Sequence, residues 1–307
     1  MHSPDFSRRA LLMGSAGLLG AGFMLGPFRV ALTRQEWPLI HDHMVALGTR
    51  VSFVVRHPDA RHARTVIERA MAMVMDVHAT MTLHDESPLT HLNRRAAQGG
   101  ITVPASMVAV LQAGVNVHRA SGGVFDPTIQ GVRGGMNHLE LDAPNRTVRF
   151  HHRDVSIDLN GIAKGYAVDV AAGHLRASGI EHFIINAGGD LYAAGTSGDG
   201  EGGWPIHLGM SAGWNPKRAQ WRLSDRAIAT SGNIHRDRDP AGDPIPHLVD
   251  PRTGMAVQQY ETSTVLADST MEADAWSTAL FVGDPEQMRQ RIAASPQLEA
   301  LCVEASV

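Results

Sequence analysis

The chain has 307 residues, 43% of them hydrophobic and 19% charged, which is the composition of a globular protein with one large domain or two smaller ones. The net charge of −4 becomes −7 without the first 34 residues, and this acidity argues against sequence-independent nucleic-acid binding. The single cysteine, Cys302, excludes an intramolecular disulfide and a multi-cysteine zinc site.

The first 34 residues have the pattern of an export signal. Arg8 and Arg9 precede a mostly apolar, small-residue stretch over 10–28. A charged region followed by an apolar region is typical of a secretory signal, and the twin arginine indicates the Tat route. The alternative is a transmembrane anchor, since a run of 19 residues is just long enough to span a bilayer. We therefore expect a Tat-type signal segment over 1–34 and a periplasmic protein, which an uncleaved signal would hold at the membrane.

The remaining residues, 35–307, are predicted to form a single unit of the α+β class. Residues 35–45 are interpreted as a linker into the first strand. Short apolar or alternating runs predict strands, at 49–55, 139–141, 148–150, 155–159, 183–185, 204–210, 219–223, 226–230 and 262–267. Apolar residues at helical spacing predict helices, at 60–79, 88–97, 104–120, 161–178 and 270–282. Composition predicts loops at 195–203 and 236–246.

The first candidate site is a turn between a predicted strand and a predicted helix. Asp158 ends the strand, Gly161 lies in the turn, and Lys164 falls in the first helical turn. Free N–H groups at a helix N-terminus favour an anion, and Lys164 adds positive charge there. Asp158 could accept hydrogen bonds from a ligand ring or ribose. The alternative is an ordinary turn in which Asp158 or Asn160 caps the helix and Lys164 is solvated.

The second candidate site is on the predicted helix over 270–282. Asp274 lies in the opening turns of an otherwise apolar helix, Thr278 shares its face at i+4, and Ser277 is close by. A carboxylate on a buried face must be paired or bind a metal. One carboxylate with hydroxyl, carbonyl and water oxygens suits Mg²⁺. The alternative is that Asp274 favours the helix N-terminus and Thr278 only packs.

The third candidate is His247, which precedes the apolar pair at 248–249 and an Asp-Pro-x-Thr-Gly turn over 250–254. The turn residues would hold the histidine rigidly. Histidine is the usual general acid or base near neutral pH. With 17 histidines in the chain, a structural role is the alternative. Other glycine-containing turns could let backbone approach a ligand, at 122–123, 188–190 and 229–232.

Taken together and in this order, eight segments resemble the FAD:protein FMN transferase family, also called ApbE. They extend over most of the chain from about residue 46 to residue 283 and lie at 48–49, 87–93, 122–126, 158–169, 186–190, 229–232, 247–254 and 273–281. The resemblance implies one catalytic domain over 35–307, with antiparallel sheets flanked by helices.

The resemblance also implies a reaction. FAD would be the substrate, with Mg²⁺ on its pyrophosphate, and the enzyme would move FMN onto a Thr or Ser hydroxyl of an acceptor flavoprotein and release AMP. His247 matches the family's histidine at the reaction centre and is expected to assist the attacking hydroxyl. The implied FAD contacts are Leu47, Val124, Phe125, Asp126, Asp158, Lys164 and Leu248. The implied metal ligands are Asp274, Ser277, Thr278 and the backbone carbonyl of Gly161.

The chain departs from the family pattern at several positions. Leu47 stands where the family usually has Met, Leu83 stands where it usually has an aromatic residue, and Asn160 replaces a usual glycine. The loss of an aromatic residue removes a stacking partner for the flavin or adenine ring. These departures bear on FAD affinity and on the choice of acceptor more than on the chemistry.

Three alternatives to the transferase remain at this point. Departures from the family pattern favour a periplasmic FAD-binding or flavin-donor protein, and a related option is an FAD pyrophosphatase without an acceptor. A redox flavoenzyme is disfavoured, since no Gly-x-Gly-x-x-Gly directly follows a predicted strand and one cysteine cannot hold an iron–sulfur cluster. For a transferase, an acceptor of nitrous-oxide respiration or of a membrane redox complex would be compatible with a Tat signal.

Overall fold

The computed structural model describes residues 24–25, 28–29, 37–128, 131–132, 134–207, 220–232, 250, 253, 257 and 260–304. The chain divides into two compact units, Met1–Trp37 and Pro38–Val307. In the first unit, β1 (Met24–Leu25) and β2 (Phe28–Arg29) pair antiparallel. Among the described residues, no helix has both the length and the apolar character needed to cross a membrane.

The second unit contains both strands and helices. The strands are β3 (Leu39–Ala46), β4 (Thr49–Arg56), β5 (Ile101–Thr102), β6 (Leu139–Asp142), β7 (Thr147–Phe150), β8 (Phe183–Ala187), β9 (Asp190–Ala194), β10 (Trp204–His207), β11 (Gln220–Leu223), β12 (Arg226–Gly232), β13 (Tyr260–Ala267) and β14 (Glu299–Glu304). The helices are α1 (Ala60–Met81), α2 (Pro88–Arg95), α3 (Ala105–Ser121), α4 (Ala163–Ala177), α5 (Thr270–Val282) and α6 (Pro285–Ala293), with a 3₁₀ turn at Gly135–His138.

A seven-stranded sheet with the order β14-β13-β12-β9-β8-β4-β3 forms the centre of this unit, and every neighbouring pair in it is antiparallel. A smaller antiparallel sheet has the order β5-β7-β6, and β10 pairs with β11. The predicted α+β class, with antiparallel sheets flanked by helices, is therefore confirmed.

The two faces of the central sheet are covered differently. On one face, α1 packs against α4, α4 against α5, and α5 against β12 and β13. On the other face, Trp204 and Leu223 of the β10–β11 hairpin pack against Leu191 and Ile228. Successive residues of a strand point to opposite faces, so the continuously buried β9 contributes to both cores.

Sequence pattern explains why the helices form where they do. In α1, the Asp59 side chain accepts hydrogen bonds from the N–H groups of Arg61 and His62, which caps the helix. Its buried residues recur every three or four positions: Ala63, Val66, Ile67, Ala70, Val74, Val77 and Met81. The five predicted helices are confirmed, with ends that differ by at most two residues.

Two of the secondary-structure predictions were wrong. Residues 35–45 are not only a linker, because β3 occupies Leu39–Ala46 at the edge of the central sheet. Residues 155–159 form no strand. Instead, the Asn93 side chain pairs with both backbone groups of Ile157, at 2.8 and 2.9 Å, and the Asp158 N–H donates to the Pro127 carbonyl at 2.7 Å. These partners satisfy the backbone hydrogen-bonding groups of the segment although it is not paired with a strand.

Candidate active site

Two helices, α4 and α5, organise the site, because a carboxylate on each accepts hydrogen bonds from first-turn N–H groups of the other. The N–H of Gly165 in α4 donates to Oδ2 of Asp274 in α5, at 3.0 Å. In return, Asp169 of α4 accepts hydrogen bonds from the N–H groups of Thr270 and Met271 at the start of α5, at 2.7 and 2.9 Å. The contact is so close that a Cβ on Gly165 would overlap the carbonyl oxygen of Thr270. The position of Asp274 relative to α4 is therefore fixed.

Lys164 lies between two buried carboxylates. Its Nζ is 3.3 Å from each carboxylate oxygen of Asp274 and 2.9 Å from Oδ2 of Asp190. It also donates to the carbonyl of Asn160 at 3.2 Å. Asp274 and Asp190 are only 2% and 1% exposed. The contact with Asp190 is an ion pair by distance, although its angles are not those of a hydrogen bond.

This arrangement leaves the network with more negative than positive charge. Burial alone would lower the pKa of Lys164, but the charges of Asp190 and Asp274 outweigh it and raise that pKa above its ordinary value. Burial, followed by the charge of Asp274, raises the pKa of Asp190 to about 7. One ammonium facing two carboxylates attracts a further cation.

Hydroxyl groups cluster beside Asp274. Ser231 on β12 lies 2.8 Å from Ser277 and 3.3 Å from Thr278, oxygen to oxygen. Ser277 also donates to the carbonyl of Asp274 at 2.9 Å and is fully buried, so its hydroxyl is engaged within the protein. Gly161 packs on this cluster, since a Cβ there would lie 3.2 Å from Thr278 Oγ1.

These residues fit a hard divalent cation. The structure brings together the predicted metal ligands Asp274 and Thr278 on α5 and the turn that contains Gly161, more than 100 residues earlier in the chain. The available donors are one carboxylate with hydroxyl and carbonyl oxygens, which Mg²⁺ prefers. Within the described ranges, no three His, Cys, Asp or Glu side chains come together as a metal site.

The loop over 124–126 lies against the same turn. Val124 and Phe125 are buried, and the Phe125 ring edge would be 3.3 Å from a Cβ on Gly161. Asp126 accepts two hydrogen bonds from Thr128, from its N–H at 2.7 Å and from its hydroxyl at 2.5 Å. Asp126 is half-buried, and Thr128 fixes the orientation of its carboxylate.

Asp158 lies just before the turn, half-buried, and accepts a hydrogen bond from the N–H of Asn160 at 2.8 Å. The N-cap of α4 is Ile162, which makes no side-chain cap hydrogen bond. The interpretation of Asp158 or Asn160 as the helix cap is therefore wrong.

Leu47 lies in the tight β3–β4 turn, where Leu47 and Gly48 both have positive φ, 53° and 70°. It is partly buried and packs against the main core, as does Leu83. Thr49, which follows this turn, packs against Gly188 of the turn that precedes Asp190. The β3–β4 turn with Leu47 and the β8–β9 turn before Asp190 are thus at the same end of the central sheet.

His247 and Leu248 lie outside the described residues. The tight turn predicted after them is supported by a hydrogen bond of 3.2 Å from the Thr253 N–H to the Asp250 carbonyl. An i to i+3 hydrogen bond of this kind is that of a β-turn.

Sequence reasoning missed the site roles of Asp190, Ser231 and Asn93. Each lies in a segment that the pattern singled out, but its partner is on a different element. The signal that could have pointed to Asp190 is a carboxylate directly after a double-glycine turn and before the apolar run over 191–194.

Residues 47–134 and 132–302 match the model of a protein family described as the ApbE family. A protein of Rhodobacter capsulatus named FAD:protein FMN transferase is 27% identical over 97% of this chain and 61% of its own length. One of Klebsiella pneumoniae (strain 342) with the same name is 30% identical over 52% of this chain and 46% of its own. The chain thus spans less than two thirds of the length of either relative.

Solved structures share the fold. The apo form of the flavinyl transferase ApbE of Pseudomonas stutzeri superimposes with a TM-score of 0.76, over 91% of this chain and 94% of that one, at 21% identity. At 21% identity, this similarity shows that the fold is shared.

Proposed function

The chain belongs to the ApbE family, and from that premise we propose that it is an Mg²⁺-dependent FAD:protein FMN transferase. In this reaction, the hydroxyl oxygen of an acceptor Thr or Ser bonds to the phosphorus of the FMN half of FAD. The bond between that phosphorus and the bridging oxygen breaks, AMP leaves with that oxygen, and the hydroxyl proton is released. The names of the two relatives support this choice of reaction.

The observation that carries the proposal is the contact of Lys164 with Asp190 and Asp274 beside a cluster of hydroxyls. Asp274, Thr278 and the Gly161 carbonyl would hold Mg²⁺, with Ser277 fixing α5 next to them. When bound, Mg²⁺ would offset the charge of the pyrophosphate oxygens. The ammonium of Lys164 would add a second positive charge to the same phosphates.

The other site residues receive roles in the same reaction. Val124, Phe125, Asp126, Asp158, Leu47 and Leu248 are proposed FAD contacts. Phe125 and Leu47 are apolar groups at the turns that border the network, and Asp126 and Asp158 are oriented carboxylates. His247 is proposed to accept the proton of the attacking hydroxyl.

Export is part of the proposal. We infer a Tat-type signal over 1–34, a catalytic domain over 35–307 and a periplasmic location from the paired arginines and the apolar run that follows them. The acceptor would then be an exported flavoprotein domain.

The proposal is tested with an acceptor domain that carries a flavinylation Thr, and with its Thr→Val variant as the control. After incubation with FAD and Mg²⁺, flavin fluorescence on a denaturing gel should appear at the acceptor and be absent from the variant. FAD bound without any covalent product would favour the flavin-binding alternative.

A further inference from the structure

Asp190 is a buried charged residue to which the proposed reaction assigns no role. It begins β9 and is 1% exposed, and its Oδ2 lies 2.9 Å from Lys164 Nζ. The same ammonium is 3.3 Å from both oxygens of Asp274. Lys164 is thus shared between a carboxylate proposed to hold metal and one that is not.

The two partners of Lys164 would respond differently to a metal. A divalent cation on Asp274 would repel the ammonium, because like charges a few ångströms apart destabilise each other. Lys164 would then need another anionic partner, and Asp190 is already the nearer one. Without Asp190, Asp274 would be the one carboxylate left beside the ammonium among the described residues, and Lys164 would compete with the cation for it.

The geometry of Asp190 is suited to that task, because its backbone is fixed. The turn before it has Gly188 and Gly189 at positive φ, 65° and 109°, and the Asn186 side chain accepts the Gly189 N–H at 2.9 Å. Asp190 itself pairs with Ala187 across the hairpin. Lys164, in contrast, has a long flexible side chain that is 26% exposed.

We propose that Asp190 is a positioning residue that keeps Lys164 as its partner when a divalent cation displaces the ammonium from Asp274, so that the Asp274 carboxylate is available to that cation. This inference rests on the proposed function, specifically on its metal site. Asp190 would thus affect the affinity for the metal through its contact with Lys164.

The test measures metal binding without an acceptor, using the EPR signal of free Mn²⁺ at a fixed FAD concentration, with FAD alone as the blank. Asp190→Asn keeps the side-chain shape and removes the charge. We expect it to raise the half-saturating Mn²⁺ concentration about tenfold, a size typical of coupling between residues in contact. Asp225→Asn is the control, because Asp225 pairs with Arg176 on the surface, outside the network, and it should leave the value unchanged.

The same substitution is then made in a Lys164→Met background. If Asp190 acts through Lys164, Asp190→Asn should cause no further change there. An equal loss of affinity in both backgrounds would mean a general structural role and would overturn the inference. Should Asp190→Asn not fold alone, the double variant, in which the Gly165 N–H still bonds to Asp274, is compared with Lys164→Met in the same way.

The outcomes separate this inference from the function it rests on. If the unaltered chain binds Mn²⁺ no better than Asp274→Ala, the metal site of the proposed function is wrong. If the unaltered chain binds Mn²⁺ and Asp190→Asn binds it equally well or better, the metal site stands and the role of Asp190 is refuted.

Discussion

The backbone N–H of Gly165 donates a hydrogen bond of 3.0 Å to Oδ2 of Asp274. Gly165 is in the first turn of α4, where N–H groups have no partner within the helix. The sequence predicts that this helix N-terminus binds an anion, and an anion supplied by the chain itself is bound there. The helix dipole and Lys164 together hold a buried carboxylate where a cation would need it.

Replacing Asp274 by Ala should abolish the metal-dependent reaction while the chain still folds. We expect the rate of FMN transfer in Mg²⁺ to fall at least about 100-fold, because losing an outer-shell partner of a metal ligand already costs about 10–100-fold. The free energy of unfolding should fall by about 1–3 kcal/mol, because the Gly165 N–H loses its partner while Lys164 keeps Asp190. Transfer rates and urea unfolding measure both, with the exposed Asp268→Ala as the control. Full activity in Asp274→Ala would remove the metal assignment.

The close approach of α4 to α5 predicts opposite effects for two glycines of the same helix. A Cβ on Gly165 would overlap the Thr270 carbonyl, whereas a Cβ on Gly173 would meet nothing within 4 Å. Gly165→Ala should therefore lower the free energy of unfolding by about 1–3 kcal/mol through overpacking. Gly173→Ala should raise it by up to about 1 kcal/mol, since alanine is the better helix former. Urea unfolding of both variants tests this prediction. Equal changes in the free energy of unfolding would contradict the close contact between Gly165 and Thr270.

Ser231 should influence activity through the hydroxyls of α5. Its oxygen lies 2.8 Å from that of Ser277 and 3.3 Å from that of Thr278. Ser231→Ala should lower the free energy of unfolding by about 1 kcal/mol. It should also reduce kcat/KM by about threefold to tenfold, because Thr278 loses a group that orients it. Ser224→Ala, on an exposed turn, is the control, and equal kinetics in the two variants would show that Ser231 does not orient the site.

Asn93 should stabilise the segment that carries Asp158. Its side chain bonds to both backbone groups of Ile157, so Asn93→Ala leaves a buried N–H and C=O without that partner. We expect the free energy of unfolding to fall by about 1–3 kcal/mol and the affinity for FAD to weaken with it. Asn116→Ala, which loses only an exposed contact with Gln112, should change neither quantity. Fluorescence titration with FAD and urea unfolding test the pair of variants.

Local periodicity explains which parts of this architecture could be predicted. Asp274 and Thr278 were placed on one face of a helix by their spacing, and α5 bears this out. Strand β3 was missed because its polar residues His41, Asp42 and His43 interrupt the apolar pattern. Its outward face is exposed at the sheet edge, so the alternation that signals a half-buried strand is weak there.

Contacts between elements far apart in the chain could not be predicted in this way. The ion pair of Lys164 with Asp190, 2.9 Å long, joins a helix to a strand, and no local sequence pattern indicates that the two residues meet. Likewise, the segment before Gly161 was interpreted as a strand because its residues are apolar and alternate. Its hydrogen bonds go instead to the side chain of Asn93, 64 residues away.

The most direct test of the account counts two products of one reaction. The chain is incubated with FAD and a Thr-bearing acceptor domain, in Mg²⁺ and separately in EDTA. Free AMP and the acceptor carrying FMN are then quantified by mass spectrometry. An Mg²⁺-dependent transferase should give equal amounts of AMP and FMN-acceptor in Mg²⁺, and neither product in EDTA. AMP without any FMN on the acceptor would contradict the transferase and indicate hydrolysis of FAD.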